Sequence, residues 1–288
     1  MSRSTQTVLA VVVDPGRLAA GIVDATGDVL VRDRISTPTR EVWRSLDQLI
    51  RRVLAARPEE VAEPVAVGVS CAAPIDRDAG SVSPAALPAW SSFPLRDHLG
   101  ELTGLPVHLD TLAGAAAEAE RWFGDTTDSA SFFTLMLDHE VESACIVDGV
   151  RLLGAHGNAG SLAHVTVDAD GPRCTCGAKG CLRVYASASA LEAEMNRPLR
   201  RATESTIERA GIMVGRAIAS AAAVFDVNTF CIAGTVVDTF GDPMLDVVRR
   251  ESAARSRLTH LSDLRIVEPS GYLQPLVAAA TVATHPHE

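Results

Sequence analysis

The sequence predicts an α/β protein of two similar lobes around a cleft. Strand-like segments, three in the first half, followed by helix–strand alternation recur roughly in both halves of the chain, the pattern of a sheet covered by helices. No low-complexity linker separates the halves. The 288 residues, 47% hydrophobic and 22% charged, suffice for one large domain or two modest ones with a substantial core. Aromatic residues make up only 4%, so that core has to rest on Val, Leu, Ile and Ala. A boundary is expected near residue 112, giving lobes over 1–112 and 113–272, with the last helix, about 273–288, returning to the first lobe.

Taken in order, residues 8–13, 19–23 and 29–34 read as strands, the latter two joined by a Gly-containing turn at 24–28. Over 40–57, Val42, Leu46, Leu49, Ile50 and Val53 recur at helical spacing. Pro58 and Pro64 bracket a break before a strand at 65–70. Residues 84–94, rich in proline and carrying Trp90, form an ordered loop. A short helix follows at 95–103, then a strand at 107–110 entering an alanine-rich helix at 113–122. The second half has strands at 132–137 and 144–147, a loop-rich stretch over 154–180, and a helix starting after Ser187. A long helix at 206–225, a buried strand at 229–232, a helix at 244–252, a strand at 264–268 and a final helix at 273–283 complete the reading.

A net charge of −10 and the lack of a basic stripe argue against a nucleic-acid partner. The first apolar run is too short for a signal peptide, and no stretch approaches the ~18 apolar residues of a membrane span. Six cysteines in a chain of this length do not suggest a disulfide scaffold. Cys71, Cys145 and Cys231 sit in apolar runs as buried small residues, and a reducing cytoplasm is the expected compartment.

The other three cysteines carry chemistry. Cys174-Thr-Cys176 places two thiols on a tight turn, and Gly177 and Gly180 let the chain fold back so that Cys181 reaches the same point. With His164, ten residues upstream at the end of an expected strand, they make a three-sulfur, one-imidazole tetrahedron. Such a set leaves no open position and is the structural kind of zinc site. The metal is expected to order residues 154–187.

This knuckle, within Gly157-Asn-Ala-Gly160-Ser161-Leu-Ala-His164, Cys174-Thr-Cys176 and Gly180-Cys181-Leu-Arg183, resembles the signature of the ROK family of sugar kinases and related repressors. Residues 12–30, Leu87-Pro-Ala-Trp90, 109–118 and 230–235 resemble further family motifs. The resemblance implies an actin/hexokinase-like (ribonuclease H-like) fold, phosphorylation of a hexose or related sugar from Mg-ATP, and a homodimer or homotetramer. The family's repressors add an N-terminal helix-turn-helix, which is not expected here because the sequence opens directly on the first strand. Asp110 falls at the family's catalytic base. Read from the residues alone, Asp110 is the N-cap of the helix that follows, a role compatible with that of the base.

Around these positions the family pattern changes. Leu109, Ser161 and Arg183 stand where the family has Asn, Glu and Glu, and Leu112 replaces a second Asn. With His164, the first three are the candidate sugar-binding residues. Leucines would leave sugar hydroxyls unpaired, at roughly 1–3 kcal/mol for each stranded group. Arg183 could instead fork an anionic sugar. The first phosphate loop keeps Asp14 and Gly16 but loses the second Gly and the Thr, and the adenosine turn keeps Gly234. The second loop reads Asp138-His-Glu140-Val-Glu142-Ser143-Ala144 in place of a glycine-rich motif. Its carboxylates should repel a nucleotide. If extended, Asp138, Glu140 and Glu142 would share one face, as a cation site or a solvated acidic edge. The expected function is a catalytically impaired, pseudokinase-like module that binds a sugar-derived ligand or regulates another protein. The alternative is an active kinase of a hexose, amino sugar or anionic sugar.

Overall fold

The computed structural model describes residues 6–124, 129–268 and 274–285. The chain divides into two units, Met1–Thr127 with Leu153–Ala159 and Ser270–Glu288, and Asp128–Leu152 with Gly160–Pro269. Residue 112, the expected boundary, is the first residue of a helix inside the first unit.

The first unit holds β1 (Thr7–Val13), β2 (Arg17–Asp24), β3 (Val29–Ser36), α1 (Val42–Ala55), β4 (Pro64–Cys71), β5 (Ile75–Asp76), β6 (Ser81–Val82), α2 (Leu95–Thr103), β7 (Val107–Thr111) and α3 (Leu112–Phe123). Its main sheet runs β3-β2-β1-β4-β7, with β1–β2 and β2–β3 antiparallel and β1–β4 and β4–β7 parallel. Every residue of β1 is buried, because both faces of the strand are covered. Leu9, Val11 and Val13 join the core formed with α1 and α2, while Val8, Ala10 and Val12 face a second cluster with Ala279 and Ala280. The five apolar positions read from the α1 sequence are the five its helix buries, each stabilising by about 1.5–3 kcal/mol. Trp90 of the 84–94 loop is buried and stacks on Phe93 with ring centroids 4.4 Å apart.

The last helix, α9 (Pro275–Thr284), packs on β1, β4 and α3. It comes so close that a Cβ on Gly68 in β4 would lie 2.0 Å from the Ala279 carbonyl oxygen. Only a residue without a side chain fits there. Leu273, where that helix was expected to start, lies outside the described residues.

The second unit repeats the pattern. It contains β8 (Phe132–Leu137), β9 (Val141–Val147), β10 (Val150–Arg151), α4 (Arg183–Ala186), α5 (Ala188–Met195), α6 (Glu204–Phe225), β11 (Thr229–Ala233), α7 (Thr235–Phe240), α8 (Asp242–Arg255) and β12 (Arg265–Val267). The sheet order is β10-β9-β8-β11-β12, again two antiparallel pairs followed by two parallel ones. Phe133 and Phe230, paired across β8 and β11, stack with centroids 5.3 Å apart at the centre of the core. Ser187 caps α5, its hydroxyl accepting from the Ala190 amide at 3.2 Å.

The reading missed β5, β6, β10, α4 and α7. Each spans two to six residues, too few to display a period. His164 lies in a turn closed by Val165 N donating to Leu162 O, and not at the end of a strand. Among the described residues, no helix is long and apolar enough to cross a membrane.

Candidate functional site

The second unit gathers His164, Cys174, Cys176 and Cys181, whose ligand atoms all lie within 4.8 Å of one another. Cys174 Sγ is 3.6 Å from His164 Nδ1, and Cys176 Sγ is 3.7 Å from Cys181 Sγ. A tetrahedron with metal–sulfur bonds of about 2.3 Å has edges of roughly 3.8 Å, so the four atoms fit a closed thiolate–imidazole metal centre. Local hydrogen bonds build it. Cys174 N donates to Ala178 O, Gly177 N to Cys174 O, and Gly180 N to Pro172 O. Gly180 has φ +64°, and a Cβ there would sit 1.5 Å from Asp168 O, so the return of the chain toward Cys181 requires glycine. Leu182 N to Val165 O and Arg183 N to Ala163 O tie the cysteine loop to the His164 turn. Among the described residues this is the one grouping of metal-type ligands.

Ionisation follows the packing. Desolvation lowers the His164 pKa, with Arg183 adding to the effect and Glu140 opposing it, which favours the neutral imidazole a metal needs. Burial, with hydrogen bonds that the thiol makes to Cys176 and Cys174, pushes Cys181 up to about 12.

Arg183 follows this loop, and its partner was not foreseen. Its Nη2 donates to Glu140 Oε1 at 2.6 Å and its Nε to Glu140 Oε2, a two-pronged ion pair with both side chains mostly buried. The hydrogen bond to Glu140 raises the Arg183 pKa, and contact with Cys174 adds to the rise. The fork available to an anionic sugar is therefore already filled from within the chain.

The acidic segment is a turn and not an extended strand. Residues 138–140 connect β8 to β9, with Asp138 N donating to Glu140 O at 3.0 Å. The three carboxylates consequently part company. Asp138 Oδ1 accepts from Thr235 N at 2.8 Å and Thr235 Oγ1 at 2.6 Å, Glu140 takes Arg183, and Glu142 is buried within β9. Neither a shared cation face nor a solvated edge forms. The turn is held further by Ala188 N donating to Asp138 O at 2.8 Å and Ser189 N to His139 O at 3.2 Å.

The remaining nucleotide candidates follow suit. Asp14 and Gly16 sit in the hairpin between β1 and β2, where Asp14 Oδ1 accepts from Gly16 N at 2.8 Å. Gly234 closes β11 immediately before α7, whose first amide, Thr235 N, is the one Asp138 holds. Parallel α/β sheets bind ligands at the carboxyl ends of their strands, and Asp138 bridges that end of the β8–β11 pair.

In the first unit Asp110 is 2% exposed at the end of β7. It is not the N-cap. Thr111 caps α3 through Gly114 N donating to its hydroxyl at 2.9 Å, while Asp110 Oδ1 accepts from Thr111 N at 2.7 Å. Gly114 makes room for the carboxylate, since a Cβ there would lie 2.3 Å from Asp110 Oδ1. Leu109, offered as a sugar-site position, is 3% exposed in the core with α1 and α2, because alternation along β7 turns it opposite Asp110. Ser161 is exposed beside the His164 turn.

Two sheets of one topology, one of them bearing a closed thiolate–imidazole cluster, define a duplicated α/β protein with a built-in metal-type loop. The chain belongs to the ROK family, whose profile matches residues 10–270. It is 33% identical to a glucokinase of Thermotoga maritima over 177 residues, covering 60% of this chain and 55% of that protein. Identity to a glucokinase of Streptomyces coelicolor is 29% over 277 residues, 84% of this chain and 86% of the relative. The crystal structure of a ROK hexokinase from Thermus thermophilus superposes with a TM-score of 0.81 at 26% identity, over 96% of this chain and 97% of that one.

Proposed function

We propose that the protein is a zinc-stabilised, sugar-binding member of the ROK family whose nucleotide positions are closed by its own aspartates, so that it does not act as an ATP-dependent kinase. The observation that carries this reading is the Asp138 carboxylate on Thr235 N and Oγ1 at the carboxyl end of β8 and β11. Phosphate binding needs free backbone amides and favours positive charge. Here one amide is taken, and a negative group stands in its place. Asp14 on Gly16 N repeats the arrangement in the first unit. His164, Cys174, Cys176 and Cys181 hold zinc, which orders the loop and leaves no position for water. A metal site of thiols suits a reducing cytoplasm, and the family resemblance supports a homodimer or homotetramer. The expected result of calorimetric titration with Mg-ATP is no saturable heat, and micromolar affinity would overturn the reading.

The second reading is an active kinase of a neutral hexose or amino sugar. It is favoured by Asp110, buried at the head of α3 with Gly114 shaped around it. An anionic sugar fits less well, as Glu140 already occupies Arg183. On this reading ADP release coupled to a sugar panel should reveal activity, and Asp110→Asn should reduce it by roughly 100-fold or more, the scale of general-base loss. Activity that survives Asp110→Asn unchanged would remove Asp110 from the base role.

A further inference from the structure

The β8–β9 hairpin does more than occupy the carboxyl end of the sheet. Ser143 of β9 is 6% exposed, and its hydroxyl makes two hydrogen bonds of 2.7 Å to one short stretch of chain. It donates to the Gly160 carbonyl and accepts from the Leu162 amide. The two bonds straddle Ser161 and hold the peptides that lead directly into the His164 turn. Gly160 lies tight against the hairpin, with φ +83° and its Cβ direction 2.9 Å from Cys145 N. From the same hairpin, Glu140 forks the guanidinium of Arg183, two residues beyond Cys181. The backbone of Arg183 in turn donates to Ala163 O, beside His164. The hairpin thus grips the metal loop at two separate places, one before the histidine ligand and one after the last cysteine.

We infer that the β8–β9 hairpin is the outer support of the metal site, with Ser143 and Glu140 as positioning residues that fix His164 and Cys181 for the ion. The inference rests on the proposal that this cluster holds zinc. The chemistry is that of an orienting shell. Neither residue donates to the metal, but each immobilises a ligand-bearing segment whose wandering would otherwise have to be frozen on binding, and loss of such partners typically weakens metal affinity 10- to 100-fold. A hydroxyl is suited to the first position because it must donate on one side and accept on the other at once, which alanine cannot do and threonine can.

The test uses the full chain loaded with zinc, with metal transfer to a chromogenic chelator giving the affinity and cobalt substitution giving a ligand-field spectrum. Ser143→Ala and Glu140→Gln are each expected to weaken zinc retention 10- to 100-fold and to broaden or shift the cobalt bands, while Ser143→Thr restores both. The rise in melting temperature that zinc confers should shrink in the two weakened variants, a change that general loss of packing, equal in apo and loaded protein, would not produce. Wild-type affinity in Ser143→Ala overturns the inference, and so does a Ser143→Thr variant as weak as Ser143→Ala. Failure of the wild-type chain to take up zinc overturns the metal reading itself.

Discussion

Replacement of Cys174 or Cys181 by serine is expected to abolish zinc binding and to lower the melting temperature by roughly 10 °C or more, the scale of losing a structural metal in a domain of this size. Between Leu153 and Cys181 the chain makes no regular helix or strand, and its β-type pairing is limited to the isolated bridges Thr166–Cys181 and Arg173–Lys179. Few apolar side chains there could offset the entropy of ordering it. On the proposed zinc reading, tetrahedral bonding of the four ligands would supply what packing does not. A chelator should reproduce the effect in the wild type, and added zinc should reverse it there but not in the variants. Because thiols must lose their protons to bind a metal, retention should weaken as the pH falls, and burial of the Cys181 thiol acts in the same direction. Differential scanning fluorimetry with and without chelator reads all of this, and a Cys174→Ser protein that melts with the wild type would refute the structural role.

Gly68→Val should destabilise the chain by on the order of 3 kcal/mol, as overpacking against immovable backbone does. The obstacle is the Ala279 carbonyl of α9, 2.0 Å from any Cβ at that position, and a helix carbonyl cannot rotate aside as a side chain can. Either α9 lifts from β4 or the strand bends, and both uncover the apolar layer of Val8, Ala10, Val12 and Ala19. Gly100 in α2 is the control, since nothing lies within 4 Å of its Cβ direction. There Gly100→Ala should be neutral or stabilise by up to ~1 kcal/mol through helix propensity. The midpoints of urea unfolding compare the two, and equal effects would show that close helix approach is not what selects Gly68.

Much of this was legible from local pattern. The buried face of α1 followed from spacing alone, and the gathering of His164, Cys174, Cys176 and Cys181 from three glycine-flanked cysteines with a histidine upstream. Contacts between distant side chains were not. Glu140 and Arg183 are 43 residues apart, and nothing in either segment announces the other. Their pairing turned an expected acidic repulsive face into a neutralised, half-buried clamp. Ser143 escaped notice for the same reason, as its partners lie 17 and 19 residues away. The cap of α3 was misplaced by a single residue, since β7 runs through Thr111 and the threonine, not Asp110, stands at the turn into the helix. Leu109 was offered as a sugar-site position because it stands where the family has Asn, whereas strand alternation sends its side chain and that of Asp110 to opposite faces.

The placement of α9 carries a consequence for how the chain is made. The first sheet is assembled from residues 7–111, yet the helix that covers one of its faces is not synthesised until residues 275–284. Meanwhile the intervening second unit has every strand and helix it needs. During translation, then, a nascent chain should complete its second unit first and carry an uncovered valine–alanine surface on the earlier one. That interval is when chaperones have most to protect and when truncated or stalled chains are most prone to aggregate.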